Sequence, residues 1–128
     1  MMKKIILASH GHFSTELKNS AEMIMGEQET ILTISLLPDE GEDDFNEKWE
    51  ALIQPEEDYT IFVDLLGGTP CNLISKWVML NNKNYDIYSG MNLPMVIQAI
   101  NNQYLGEMAG DLVTQTKESI VYVNDRLN

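Results

Sequence analysis

Short, continuous apolar runs alternate along the chain with stretches whose apolar residues recur at helical spacing. Four of the runs predict strands, and the first is uninterrupted in its apolar character, which is typical of a strand buried on both faces of a parallel sheet. They are Ile5–Ala8, Thr30–Leu36, Thr60–Asp64 and Tyr85–Tyr88. A fifth β-prone run, Ser119–Val123, follows a helical stretch by only a few residues. It is either an antiparallel edge strand or a strand that pairs with another chain.

Five helical patterns fill the intervals between and after these runs. We expect Ser14 to cap the first helix with its hydroxyl and Gly26 to end it. We expect Thr69 to cap the third helix, with Pro70 at its first position, and Pro94 to begin the fourth. Four of the helices have a clear apolar face. In the first it comprises Leu17, Ala21, Ile24 and Met25, and in the second Phe45, Trp49, Leu52 and Ile53. In the third it comprises Leu73, Ile74, Trp77 and Val78, and in the fifth Leu105, Met108, Ala109, Leu112, Val113 and Thr116.

The alternation of strands and helices predicts an α/β fold, a three-layer open sheet of parallel strands with helices on both faces. Right-handed crossovers between parallel strands then restrict the possible topologies strongly. The chain has 128 residues, which fits one domain, and no linker or break in composition divides it. We therefore expect a single domain over residues 1–128.

Charge and composition narrow the range of functions. Eight Lys and Arg against twenty Asp and Glu give a net charge of −12, which excludes nucleic acids and anionic membrane surfaces as partners and favours basic protein patches. The single cysteine, Cys71, excludes an internal disulfide, and two histidines leave little for a zinc site. No apolar run approaches the roughly 18 residues of a membrane span. We expect a soluble cytoplasmic protein that uses no metal and no other cofactor.

Two polar residues mark strand ends at which a ligand is expected to bind in an open α/β sheet. His10 directly follows the first strand, and Asp64 ends the third. If the strand order begins 2-1-3, these ends are neighbours, and the carboxylate can fix one ring nitrogen while the other acts as a nucleophile. Position alone leaves open a second interpretation, in which both side chains only cap turns.

The turn after the third strand favours the functional interpretation. Gly67 and Gly68 let the backbone approach a ligand, and the helix that begins at Thr69 offers free amides and a hydroxyl to an anion. Alone, two glycines before a helix indicate only a tight turn. Together with His10 and Asp64 they predict a histidine that receives a phosphoryl group. His12 is the rival acceptor, and we interpret it as an exposed loop residue.

Four separated motifs carry a family resemblance that spans nearly the whole chain. They are Lys4–Gly11 (KIILASHG), Ala21–Glu27 (AEMIMGE), Val63–Pro70 (VDLLGGTP) and Gly90–Met95 (GMNLPM). In this order they resemble the EIIA component of the mannose family of the bacterial sugar phosphotransferase system.

That resemblance implies a strand order of 2-1-3-4 and a homodimer in which a C-terminal strand, here Ser119–Val123, is exchanged. It implies a phosphotransferase that accepts phosphate from phospho-HPr on His10 and passes it to an EIIB component for sugar uptake, with Asp64 as the paired acid. Thr69 stands where relatives usually carry serine, and Leu66 where many carry an aromatic residue. Relatives are often fused to EIIB through a linker, whereas this chain resembles the stand-alone form.

Three other functions fit parts of the pattern. A histidine phosphatase needs an arginine before the first histidine and a second distant histidine, but Ser9 precedes His10 and no histidine follows His12. A phosphoryl carrier for a dihydroxyacetone kinase shares the fold and the histidine, but we expect a different turn after its third strand. A non-enzymatic regulatory module of flavodoxin type is the third alternative, and no aromatic flavin sandwich marks it.

Overall fold

The computed structural model describes residues 3–106 and 111–127. Four strands are formed: β1 (Lys4–His10), β2 (Ile31–Leu36), β3 (Tyr59–Val63) and β4 (Asp86–Tyr88). The helices are α1 (Phe13–Met25), α2 (Glu42–Leu52), α3 (Thr69–Leu80), α4 (Leu93–Leu105) and α5 (Leu112–Lys117), and a 3₁₀ turn spans Val123–Arg126. All four predicted strands are therefore present, each within one or two residues of its expected start.

The strands form one parallel sheet in the order β2-β1-β3-β4, as predicted. Ala8 of β1 pairs with Val63 of β3, and His10 pairs with Leu36 of β2. The carboxyl ends of β1 and β3 consequently lie side by side at the reversal in strand order, which is where open α/β sheets bind ligands.

Helices cover both faces of the sheet, as predicted. On one face, Ile6 and Ala8 of β1 belong to a buried cluster with Phe45 and Trp49 of α2 and Ile74 of α3. Successive strand side chains point to opposite faces, so the other residues of β1 face the side on which α1 packs against β1 and β2. The result is a three-layer arrangement in which each face of β1 is buried.

The contacts divide the chain into two compact units, one up to Met91 and one from Asn92 onward. The first holds the sheet and α1 to α3. In the second, α4 packs against α5, and the Oδ1 atom of Asn92 accepts the Met95 N–H at 2.9 Å to cap α4. Within the described ranges, no helix is both long and apolar enough to cross a membrane.

Two predictions concern the second unit: the fifth apolar pattern and the β-prone run Ser119–Val123. The fifth apolar pattern is only partly present: Met108 and Ala109 lie outside the described residues, and Leu105 ends α4 and is exposed. In α5, Leu112 and Thr116 are buried as expected, whereas Val113 is exposed. In the single chain, residues 119–122 form no strand, and Val123 begins the 3₁₀ turn. The exchange of this segment between two subunits stays a prediction.

Three local predictions in the first unit were wrong. Ser14 does not cap α1: it lies inside the helix, fully buried, and its N–H donates to the hydroxyl of Ser9 at 2.8 Å, so Ser9 supplies the capping oxygen. Thr69 is the first residue of α3, and Gly68 occupies the cap position. Ile24 is exposed although it lies on the same face of α1 as the buried Leu17, because no residue of α1 after Ala21 is buried and the last turn extends beyond the covered part of that face.

Candidate functional site

The structure brings His10 and Asp64 into direct contact at the carboxyl ends of β1 and β3. Oδ2 of Asp64 lies 2.9 Å from Nδ1 of the imidazole and accepts the backbone N–H of His10 at 2.9 Å. The Asp64 N–H donates in turn to the carbonyl of Ala8 at 3.2 Å. One carboxylate oxygen thus holds both the backbone and the ring of His10.

This contact decides which ring nitrogen is available. An ionised carboxylate only accepts hydrogen bonds, so Nδ1 carries the hydrogen in the neutral imidazole and the lone pair is left on Nε2. The side chain of Asp64 is 15% exposed and that of His10 is 45% exposed. The acid is therefore shielded, whereas the ring is accessible to a reactant from solvent.

Because Gly68 has no side chain, the imidazole of His10 can lie against its backbone. A Cβ atom at Gly68 would lie 2.8 Å from Cε1 and 3.5 Å from Nε2 of His10. The Gly68 N–H donates to the carbonyl of Leu65 at 3.0 Å, which closes the turn. The side-chain amide of Asn72 donates to the carbonyl of Gly67 at 3.0 Å. Because the Gly68 N–H is used within the turn, its contribution to the site is room beside the ring.

The first turn of α3 supplies hydrogen-bond donors next to that ring. An α-helix leaves its first N–H groups without intrahelical partners, and here they belong to Thr69 and Cys71, since Pro70 has none. No acidic residue lies in this turn to oppose an anion. Of the three residues expected to bind phosphate, Thr69 offers an N–H and a hydroxyl, Gly68 offers space, and Gly67, with φ of 82°, turns the backbone.

The turn between β1 and α1 is held by a buried hydroxyl that sequence reasoning missed. Ser9 is fully buried, and its Oγ lies 3.3 Å from the carbonyl of Gly11. Gly11 donates its N–H to the carbonyl of Leu36 at 2.7 Å. His12 follows at the cap position of α1 and is exposed, in agreement with its interpretation as a loop residue. The only signal for Ser9 is a serine at the end of an apolar run.

Three exposed apolar residues lie close in sequence to the pair. Phe13 begins α1 three residues after His10, and Leu65 and Leu66 directly follow Asp64. Leu66 is 77% exposed. We call Phe13, Leu65 and Leu66 the apolar rim. Sequence reasoning noted Leu66 only as a departure from the family, although two leucines between a strand-end acid and a glycine pair already indicate an exposed apolar loop.

The loop after β2 begins at the same edge of the sheet and is fixed by an ion pair between Glu40 and Lys48. Glu40 accepts the ammonium of Lys48 at 2.6 Å and the N–H of Leu37 at 2.8 Å, and Lys48 also donates to the carbonyl of Ser35. The hydrogen bond from Lys48 is the main reason that the pKa of the Glu40 carboxyl lies below its ordinary value. Among residues 3–106 and 111–127, no group of three His, Cys, Asp or Glu side chains is placed to hold a metal ion.

Comparison with known proteins identifies relatives of the whole chain. A family model described as "PTS system fructose IIA component" (EIIA-man) matches residues 4–117. The fructose-specific EIIA component of Bacillus subtilis (strain 168) is 27% identical over 98% of this chain and 90% of its own length. The sorbose-specific EIIA component of Lacticaseibacillus casei is 30% identical over 97% of this chain and 93% of its own. The crystal structure of a phosphotransferase system EIIA component from Streptococcus agalactiae superposes with a TM-score of 0.85 at 30% identity, covering 97% of this chain and 99% of that one.

Proposed function

Because this chain belongs to the EIIA components of the mannose family of the phosphotransferase system, we propose that it carries a phosphoryl group on His10 in the cytoplasm. It accepts that group from phospho-HPr and passes it to an EIIB component of a sugar transporter. The observation that carries the proposal is the contact between Nδ1 of His10 and Oδ2 of Asp64, which leaves Nε2 as the free nucleophile.

Transfer onto His10 is a displacement at phosphorus. The lone pair of Nε2 forms the new bond to phosphorus, and the bond to the donor atom of phospho-HPr breaks with its electron pair left on that donor. The ring gains positive charge as this happens, and the charge of Asp64 next to Nδ1 stabilises it. Transfer to EIIB reverses the roles, so that His10 becomes the leaving group.

Thr69 is the residue that we assign to the phosphoryl oxygens. Its N–H stands at the positive end of α3, and its hydroxyl adds a second donor. Gly68 lies between this helix end and the ring of His10, close to both Cε1 and Nε2. A phosphoryl group on Nε2 is therefore next to donors that cost no rearrangement at the moment of transfer.

The apolar rim and the acidic residues near it define the partner surface that we propose. Phe13, Leu65 and Leu66 offer exposed apolar area on the two turns that carry His10 and Asp64. Asp39 and Asp43 are exposed on the β2–α2 segment, which begins at the same sheet edge. HPr and EIIB should accordingly present apolar contacts with basic residues around them, which suits rapid, weak encounters.

We also propose that two copies of the chain exchange the segment Ser119–Val123. Ile120, Tyr122 and Val123 are exposed in the single chain, and such a contiguous apolar run is typical of an interface. Light scattering after size exclusion should give the mass of a dimer, and a chain ending at Glu118 should give that of a monomer. A monomeric full-length chain would contradict the exchange but leave the chemistry of His10 untouched.

The direct test is incubation of the protein with phosphoenolpyruvate, enzyme I and HPr, followed by mass analysis. We expect one acid-labile phosphate on the wild-type chain and on His12→Gln, and none on His10→Gln. Labelling of His10→Gln together with loss in His12→Gln would refute the assignment. A labelled protein that passes phosphate to a dihydroxyacetone kinase subunit but to no EIIB would favour that carrier function instead.

A further inference from the structure

The loop that follows His10 is held by the buried hydroxyl of Ser9. Ser9 and Ser14 are both fully buried. The Oγ atom of Ser9 accepts the N–H of Ser14 at 2.8 Å and donates to the carbonyl of Gly11 at 3.3 Å. A single hydroxyl thus bridges the residue after His10 and the first turn of α1, so the turn from residue 10 to residue 13 closes on Ser9.

Ser9 has no contact with the reacting ring. Neighbouring strand residues point to opposite faces, so its side chain and that of His10 leave β1 in opposite directions. Ser9 acts instead on the backbone around Gly11, whose φ of 59° already departs from the usual range and whose N–H is held by Leu36 at 2.7 Å. Both the N–H and the carbonyl of Gly11 are therefore hydrogen-bonded.

We propose that Ser9 is a positioning residue for phosphoryl transfer, acting through the β1–α1 turn to keep the imidazole of His10 aligned on Asp64. This inference rests on the proposed carrier function. Because the site is buried, water has no ready access to replace the hydroxyl, and the two groups that it joins would lose their shared partner in Ser9→Ala. A displaced turn changes the direction of Nε2, and a small misplacement of a reacting atom slows transfer strongly.

Ser14→Ala provides a matched control. Ser14 is just as buried, and its hydroxyl also makes hydrogen bonds, but these go to β2: the carbonyl of Ile34 at 3.2 Å, with the hydroxyl of Ser35 also at 3.2 Å. Its N–H, which binds Ser9, is unchanged by the substitution. A general loss of stability should thus affect both variants, whereas a loss of alignment should affect only Ser9→Ala.

The test measures transfer from phospho-HPr at increasing donor concentration, per folded molecule. We expect Ser9→Ala to lower the maximal rate about tenfold with less than a twofold change in the half-saturating concentration, and Ser14→Ala to change neither. Equal rates for Ser9→Ala and wild type, or equal losses in both variants, overturn the proposal. If Ser9→Ala does not fold, Ser9→Cys, whose thiol bonds weakly, should show the same loss.

A second readout separates this proposal from the carrier function. The Nδ1 proton of His10, held by Asp64, should give a downfield NMR signal in the wild type and in Ser14→Ala, and a weakened or shifted one in Ser9→Ala. If the wild type accepts no phosphate, the carrier function fails, and this signal still decides on Ser9. An unchanged signal in Ser9→Ala would then show that Ser9 does not position the ring.

Discussion

The two turns that meet at the site are built in opposite ways. The β1–α1 turn, which carries His10, is closed from inside by the Ser9 hydroxyl and by the Gly11 N–H, which donates to β2. The β3–α3 turn, which carries Asp64, is closed by its own backbone through Gly68 and Leu65 and presents two leucines to solvent. The first turn is held by a buried hydroxyl, although Phe13 at its end is exposed, whereas the second is held by its own backbone and by the exposed side chain of Asn72.

This difference matches the separate tasks that we propose for the two turns. The proposed acceptor His10 must keep its direction, so anchoring suits its turn. The groups that we propose for partner recognition and anion binding lie mostly on the turn of Asp64, namely the two leucines and the first amides of α3. Phe13 adds exposed apolar area at the end of the turn of His10. Changes in the first turn should act mainly on the rate of transfer. Changes in the second should divide between rate and affinity according to which group is altered.

The largest effect should come from the charge that links the two turns. Asp64→Asn keeps the shape of the side chain but removes the negative charge beside the imidazole. We expect the transfer rate from phospho-HPr to fall by on the order of 100-fold, while the affinity for unphosphorylated HPr changes less than threefold. Rapid-quench assays of phosphoryl transfer measure the rate, and isothermal titration calorimetry measures the affinity for HPr. Equal losses of rate and affinity would refute the role given to Asp64.

A smaller loss of rate should follow when the space beside the ring is filled. In Gly68→Ala, the new Cβ would lie 2.8 Å from Cε1 of His10, closer than real contacts allow, so the imidazole must move. We expect a fall in the transfer rate of on the order of tenfold.

Gly41→Ala is the matched control for this change. Gly41 caps α2 as Gly68 caps α3, neither has a positive φ, and a Cβ at Gly41 would meet no atom within 4 Å. The transfer rate of Gly41→Ala should equal that of the wild type. If the two alanine variants transfer at the same rate, the contact between Gly68 and the ring has no catalytic consequence.

The contrast between the turns also separates what the sequence predicts from what it does not. The strand ends follow from the apolar runs, and the order 2-1-3-4 follows from the family resemblance, so the proximity of His10 and Asp64 was accessible without coordinates. The choice of capping residue was not, because Ser9 and Ser14 are both serines near the helix start and only the three-dimensional path shows which hydroxyl faces which N–H.

The same limit applies to the glycine pair and to the C-terminal run. A glycine at position 68 predicts that another group approaches the backbone closely. The sequence suggested a phosphate as that group, whereas in the structure the nearest group is the ring of His10. For Ser119–Val123, β-propensity is a local property, and pairing depends on which strand lies beside the run, which the local sequence does not encode. Long-range contacts set both outcomes, which is why local patterns do not determine them.

The exposed turn should respond in affinity when its leucines are changed. In Leu66→Ser, the loss of an apolar side chain that is 77% exposed removes contact area for a partner and nothing from the core. We expect the dissociation constant for HPr to rise about fivefold, with the maximal transfer rate unchanged. Leu80→Ser, at the end of α3, changes a leucine that is 71% exposed and should leave both values unaltered. A wild-type dissociation constant for Leu66→Ser would remove the apolar rim from the partner surface.

The smallest effect concerns the third loop at this edge, which is held by an ion pair. The hydrogen bond from Lys48 lowers the pKa of the Glu40 carboxyl below its ordinary value of 4.5. The pair therefore stabilises the folded chain fully above pH 4.5, and this contribution is lost as the pH falls through the folded-state pKa. Glu40→Gln should lower the Tm by about 2 °C at pH 7, and the difference from wild type should shrink below pH 4.5.

Glu56→Gln, at an exposed glutamate before β3, controls for the loss of one negative charge. Because the chain carries a net charge of −12, removing any acid relieves repulsion, so this control should leave the Tm unchanged or slightly raised at pH 7. Thermal unfolding followed by circular dichroism between pH 3.5 and 7 measures both variants, with about 4.5 as the point at which the curves should begin to converge. A difference for Glu40→Gln that grows towards low pH would have the wrong sign for a lowered pKa. The β2–α2 loop would then be held by its backbone, as the β3–α3 turn is, and not by the ion pair.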